Sequence, residues 1–223
     1  MKTTLITGGL GFIGSNICDS LLQKKYTNKC ILLDNFGGYM NPIKDSFVDF
    51  RKQRFPSLKN IIIERCDTSN YKALSSIINK YKPNYIYHTA ALPLAKVSNL
   101  NNEEAKISSV DSTVNIIDAI NLLKNSNQKY QFDRFVYFSS SMVYGDFKKS
   151  TVTEESEKNP KDAYGIMKLA GEVVTEGLCR LHNIPYTIIR PSAVYGPKDM
   201  NRRVSQIFIE NAFKKQEISI QGK

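Results

Sequence analysis

A glycine-spaced turn between an apolar run and a helical segment constrains this chain more than any other feature. Leu5-Ile6 leads directly into Thr7-Gly8-Gly9-Leu10-Gly11-Phe12-Ile13-Gly14, and residues 15–25 continue with helical character. Residues without side chains at Gly8, Gly11 and Gly14, with Gly9 as an extra, allow three things. They permit a tight turn, close approach of the backbone to a bound group, and close packing of helix on strand. The start of the following helix offers unpaired N–H groups and a partial positive charge, a setting suited to a phosphate. Glycines so spaced also occur in ordinary tight turns, but here a strand precedes them and a helix follows. An acid, Asp34, lies about twenty residues beyond Gly14, where the second strand of a dinucleotide-binding unit ends.

The rest of the chain alternates strand and helix, the pattern of a doubly wound α/β fold with a parallel sheet and helices on both faces. Strands are predicted at 2–7, 30–33, 60–65, 84–88, 135–138 and 186–189, with a short last one at 218–220. Helices are predicted at 11–25, 46–54, 71–81, 102–124, 163–182 and 204–214. Residues 66–70 carry capping side chains for the helix that follows. In the long central helix Ile107, Val110, Val114 and Ile117 fall at helical spacing.

Composition narrows the class. With 223 residues the chain can bury one sizeable core, or one domain and the beginning of a second. No run approaches the length of a membrane span, and Met1-Lys2-Thr3 leads straight into a strand, so neither a span nor a signal peptide is expected. Cys18, Cys30, Cys66 and Cys179 are scattered without a C-x-x-C pair. They read as buried small hydrophobes in a reducing cytoplasm, with no metal site. The formal charge of +10 comes from dispersed lysines, with no arginine-rich block; it predicts a solvated basic surface, not a nucleic-acid face.

Asp34 is placed to accept hydrogen bonds from ribose hydroxyls and to repel a 2′-phosphate, which predicts NAD over NADP. Asp67, after the third strand, serves either an adenine edge or the next helix cap. Tyr164 and Lys168 stand four apart on a helix and so share a face. A lysine ammonium beside a phenol favours the phenolate, and a tyrosine so tuned can act as base and acid near neutral pH. Ser139-Ser140-Ser141 ends the fifth strand at the sheet edge where ligands sit in open α/β folds, so a hydroxyl there can bond the same substrate oxygen.

Taken together, Thr7 to Gly14, Asp34, Ser139 to Gly145 (Ser-Ser-Ser-Met-Val-Tyr-Gly), Tyr164 to Lys168 and Arg190 to Pro197 (Arg-Pro-Ser-Ala-Val-Tyr-Gly-Pro) resemble an extended short-chain dehydrogenase/reductase. Within that superfamily the chain is similar to the NAD-dependent epimerase/dehydratase family that acts on nucleotide sugars. The resemblance implies a Rossmann-type cofactor domain over 1–192 and the beginning of a smaller substrate domain over 193–223. It implies that Ser140, Tyr164 and Lys168 are catalytic. It also implies that Gly8, Gly11, Gly14, Asp34 and Asp67, with Phe12, Ile13, Asn35 and Thr68 beside them, contact NAD, as do Ala90, Ala91, Pro191, Val194, Tyr164 and Lys168.

Relatives that dehydrate or decarboxylate the sugar place an acid just after the catalytic hydroxyl. Ser141 and Met142 stand there instead, which favours an epimerase or a plain reductase. The resemblance further implies a cytoplasmic homodimer, paired through residues 102–124 and 163–182 in a four-helix bundle. Three departures stand out. Ser109-Val110-Asp111-Ser112-Thr113 replaces a frequent Asn-Val-x-Gly-Thr. Thr89 follows His88, itself read as structural, where relatives often have Leu. Relatives also continue for roughly a hundred residues past the last residues here, so a non-catalytic NAD-binding module is the competing expectation.

Overall fold

The computed structural model describes residues 2–37, 59–92, 101–147, 150–196, 199 and 204–218. Six strands form one parallel sheet: β1 (Thr3–Thr7), β2 (Lys29–Asp34), β3 (Ile61–Arg65), β4 (Tyr85–His88), β5 (Arg134–Phe138) and β6 (Tyr186–Ile189). Their order is β3-β2-β1-β4-β5-β6. The chain runs outward from β1 to β3 and then returns to the other side of β1. The β1/β4 boundary is therefore the switch point at which the crevice of such a sheet opens. Parallel pairing sets Thr7 beside Leu33 and His88, Asp34 beside Arg65, and His88 beside Tyr137, so these residues share the carboxyl edge.

Alternation along each strand sends neighbours to opposite faces. Leu5, Ile31, Leu33, Ile86, Phe135 and Tyr137 enter one core with the apolar faces of α2 (Tyr71–Tyr81), α4 (Ser112–Ser126) and α5 (Ala163–Leu181). Ile6, Cys30 and Leu32 enter another, which includes Cys18 of α1 (Phe12–Gln23). All four cysteines are buried and free, as expected of small core residues. Burial on both faces explains why β2 reads as a continuous apolar run, Cys30-Ile31-Leu32-Leu33, and not as an alternating one.

Of the capping candidates at 66–70, Asn70 begins α2, its side chain accepting from the Ala73 N–H at 3.1 Å. The long central helix differs from expectation. After α3 (Asn102–Lys106) it passes through a π-helical turn, Ile107–Asp111, before α4. The Ser112 N–H reaches back to the Ile107 carbonyl, and its hydroxyl donates to the same oxygen at 2.9 Å. Thr68 donates to that hydroxyl, also at 2.9 Å. This wide turn falls on the Ser109–Thr113 departure, so serine chemistry at Ser112 supports the extra residue. The predicted helix at 46–54 lies outside the described residues, as do two of the three residues of the predicted strand at 218–220.

Chain contacts divide the protein into Met1–Ser192 and Ala193–Lys223. The second unit holds α6 (Val204–Phe213), where Gln206 and Glu210 hydrogen-bond one turn apart.

Helix α5 lies tight against β5 at Gly171, where a Cβ would overlap the Tyr137 hydroxyl and stand 2.8 Å from the Ser109 carbonyl. Gly171→Ala therefore overpacks a core with little room to yield. It is expected to cost about 1–3 kcal/mol in urea unfolding, with part of the loss recovered by adding Tyr137→Phe. A neutral Gly171→Ala would contradict this packing.

Candidate active site

The turn after β1 is shaped by contacts that exclude side chains. Gly8 has φ +63°, and a Cβ there would stand 2.9 Å from the Ala90 nitrogen. A Cβ on Gly14 would stand 2.5 Å from the Gly8 carbonyl oxygen, so α1 packs directly on the turn. Gly9, an extra in the spacing, is also constrained. A Cβ there would meet Leu32 at 2.8 Å, and its N–H donates to Leu33 O at 3.2 Å. Gly11 caps α1 with extended backbone and no side-chain bond. The N–H groups of Phe12, Ile13 and Gly14 thus open a helix whose first turn has no internal acceptors. A bare backbone cradle with that polarity fits a pyrophosphate.

Asp34 is buried where β2 ends. Its two oxygens accept from the Leu10 N–H at 3.0 Å and the Phe36 N–H at 2.9 Å. The carboxylate thereby pins the glycine turn to the β2 exit. Asn35 donates to Asp67 at 2.9 Å. Burial pushes the Asp67 carboxyl up, but donors from Asn35 and Ser69 outweigh it and hold the group below its ordinary value. Asp67 thus orders its own turn while Asn70 caps the helix. The Thr68 hydroxyl goes to Ser112, and its carbonyl accepts from the Asn115 amide at 3.0 Å.

The β1 and β4 ends are joined through Thr7. Its hydroxyl oxygen accepts the Ala90 N–H at 3.2 Å and bonds His88 Nδ1 at 2.7 Å, while the Thr89 hydroxyl donates to the Thr7 carbonyl at 2.6 Å. Burial pushes the His88 pKa down to about 3, helped by the Lys168 charge, so the imidazole is neutral and structural. The Thr89 departure adds a bond to the switch point, and Ala90 is held against Gly8. Ala91 follows it, half-buried.

Ser140, Tyr164 and Lys168 come from two adjoining segments. Ser140 caps a 3-10 turn, Ser141–Tyr144, its oxygen accepting from the Met142 N–H at 3.2 Å, which leaves its own proton to donate. Asp162 caps α5 through the Gly165 N–H at 2.7 Å. Gly165 packs on the Met142 carbonyl, where a Cβ would stand 2.7 Å away, so the serine turn and the first turn of α5 adjoin. Lys168 is buried one turn later, its Nζ donating to Phe138 O at 2.7 Å and lying 5.8 Å from the Tyr164 ring centroid. Burial pulls its pKa down to about 8, against the opposing pull of Glu172. The Pro191 carbonyl accepts from Ser141 N–H at 2.9 Å, tying the β6 exit to the serine turn, while Val194 belongs to the second unit.

One ion pair, a buried Glu172 with a half-buried Arg190, was not anticipated. Arg190 donates to both Glu172 oxygens, at 2.8 and 2.7 Å, and to the Tyr144 hydroxyl at 2.8 Å. It also donates to the Glu154 carbonyl at 3.0 Å. This clamp joins the β6 exit, α5, the 3-10 turn and the segment after it. A carboxylate on the buried face of α5, between Lys168 and Thr175, is the signal that a cation had to lie opposite.

The sequence matches the family model "NAD dependent epimerase/dehydratase family" over residues 4–223. It is 32% identical over 223 residues to a Methanocaldococcus jannaschii protein named "Putative UDP-glucose 4-epimerase", covering 98% of this chain and 65% of that one. It is 27% identical over 208 residues to the human dTDP-D-glucose 4,6-dehydratase, covering 93% of this chain and 55% of that one. The Bacillus cereus UDP-glucuronic acid 4-epimerase, solved with UDP-glucuronic acid and NAD, superposes with a TM-score of 0.82 at 25% identity. That match covers 99% of this chain and 66% of the epimerase. The chain thus spans a little over half to about two thirds of the length of these relatives.

Removing Arg190 leaves the buried Glu172 carboxylate uncompensated, so Arg190→Met is expected to cost about 3–5 kcal/mol, and Glu172→Gln, which leaves only the half-buried guanidinium, to cost less. The double variant should cost less than the sum in urea unfolding; additive losses would contradict a coupled pair. Lys168 gives a pH signature. Between about pH 8, where the folded chain releases its proton, and 10.5, where the unfolded chain does, the unfolded state binds more protons. Stability of the wild type relative to Lys168→Met should therefore rise with pH through that window. A flat difference would show that the lysine titrates normally.

Proposed function

The chain belongs to the NAD dependent epimerase/dehydratase family, and from that premise we propose that it is an NAD-dependent epimerase acting at C4 of a UDP-hexose or UDP-hexuronic acid. The cradle of Gly8, Gly11, Phe12, Ile13 and Gly14 would hold the pyrophosphate, and Asp34 the adenosine ribose. Bound NAD supplies an acceptor for the C4 hydride and returns it. Tyr164 takes the proton of the C4 hydroxyl as the carbon–hydrogen bond breaks. Lys168, charged beside the phenol, lowers its hold on that proton. The Ser140 hydroxyl donates to the same sugar oxygen, which becomes the carbonyl of a 4-keto sugar. After the sugar turns its other face, Tyr164 gives the proton back.

The observation that carries this reading is Ser141-Met142 directly after Ser140. A dehydratase needs an acid there to move the elements of water, and neither side chain exchanges a proton usefully near neutral pH. Epimer formation serves cell-surface polysaccharide precursors, which use such sugars. Among the described residues no helix is long and apolar enough to cross a membrane, in keeping with a cytoplasmic setting.

Pairing of two copies through α4 and α5 is supported by an exposed apolar stripe. Ile166, Val173 and Leu181 lie along one side of α5 with Gly177, and Leu122 is exposed on α4, which packs beside it. Light scattering on the purified chain reads this directly, and a monomer removes the proposal.

Incubation with UDP-hexoses and UDP-hexuronic acids should yield C4 epimers. Tyr164→Phe should lower turnover by on the order of 10²–10⁴-fold while NAD stays bound. NAD binding without any C4 epimer would instead favour a non-catalytic NAD-binding module.

A further inference from the structure

Lys168 is the most demanding side chain in the first unit, because its ammonium is buried and, among the described residues, forms no ion pair. Its nearest carboxylate neighbour on α5, Glu172, is held from two sides by Arg190. The Phe138 carbonyl satisfies one of its three donors. What remains is aromatic. The Nζ lies 5.3 Å from the Tyr137 ring centroid, inside the range at which a π face attracts a cation, and 5.8 Å from that of Tyr164.

We propose that Tyr137 is a positioning residue for Lys168, its π face seating the ammonium beside Tyr164. The ring is well placed for this work. It is fully buried on β5, and its cross-strand neighbour His88 lies against it at 5.8 Å between centroids. Its hydroxyl reaches the Lys168 carbonyl at 3.4 Å, and the absence of a side chain at Gly171 lets α5 come close enough for both contacts. The ring thus touches the same helical turn at two points, its backbone and its charge. A π face attracts an ammonium without binding it in an ion pair, so the lysine stays available to the phenol. A carboxylate in the same place would compete with Tyr164 for it.

Among the described residues the other titratable or charged groups around this seat are few. They are His88 from β4, Tyr164 and Glu172 from α5, Arg190 from the β6 exit, and the half-buried Asp111 of the π turn, paired with Lys106. None is altered by exchanging the ring for another of the same shape.

The role of Lys168 in turnover rests on the epimerase reading, but its seat can be measured without it. The protein labelled with [15N]lysine would be titrated by NMR as the wild type, as Tyr137→Phe, as Tyr137→Leu, and with mono-, di- and trifluorophenylalanine at position 137. Phenylalanine keeps the π face, so its Lys168 midpoint should stay near the wild type's, about 8. Fluorination drains the face at nearly constant shape and should lower the midpoint in graded steps, to about one pH unit at the trifluoro ring. Leucine should lower it similarly. In the same series kcat should fall with fluorination and KM stay level, with phenylalanine restoring wild-type turnover. If Tyr137→Leu fails to fold, the fluorinated series decides. Midpoints unmoved by fluorination in folded protein would reduce Tyr137 to core packing and overturn the proposal. A graded shift in a protein without epimerase activity would uphold the seat and defeat the functional reading alone.

Discussion

The structure turns on the close approach of backbone to backbone where β1 ends. Gly8 lies against the Ala90 nitrogen, Gly14 against Gly8, and Gly9 against Leu32. Three chain segments therefore meet with no side chain between them. That contact brings the β1 and β4 ends together at the switch point and leaves first-turn N–H groups of α1 facing the crevice. The polar groups nearby serve it: Asp34 fastens Leu10, while Thr7 joins His88 to Ala90. A methyl group at Gly14 would have to displace backbone, which yields far less readily than a flexible side chain.

The second half of the sheet carries the proposed catalytic groups and solves a different problem, the burial of charge. An isolated ammonium or carboxylate in such a place is costly. Two solutions lie one helical turn apart on α5. Glu172 is neutralised by a two-point contact with Arg190, which also braces the serine turn through Tyr144. Among the described residues Lys168 has no such partner and is held by a carbonyl and an aromatic face, with its pKa drawn down to about 8. The Arg190–Glu172 pair is locked and the lysine remains responsive.

Local signals carry much of this in the sequence. The glycine spacing, the apolar strands and the 71–81 helix are all readable, because each depends on residues near one another in the chain. The Tyr164–Lys168 pair is readable for the same reason, since four residues on a helix fix a shared face. What is not readable involves partners distant in sequence. Arg190 and Glu172 meet only after β6 docks, and Tyr137 becomes a seat only because Gly171 allows α5 to approach. The π turn at Ile107–Asp111 reads as plain helix, since Ile107, Val110 and Val114 keep helical spacing through it. Only the Ser112 hydroxyl, bonded to a carbonyl five residues back and to Thr68, marks the difference.

The central claim is that Tyr164 and Lys168 serve a redox centre that removes one hydrogen from the sugar and returns that same hydrogen to its opposite face. The most direct measurement supplies a UDP-hexose or UDP-hexuronic acid carrying deuterium at C4, in ordinary water, and locates the label in the epimer. The account predicts that the C4 epimer keeps its deuterium at C4 with none lost to solvent. A product with the label washed out, replaced by solvent hydrogen, would mean that C4 is inverted by proton exchange and would contradict it.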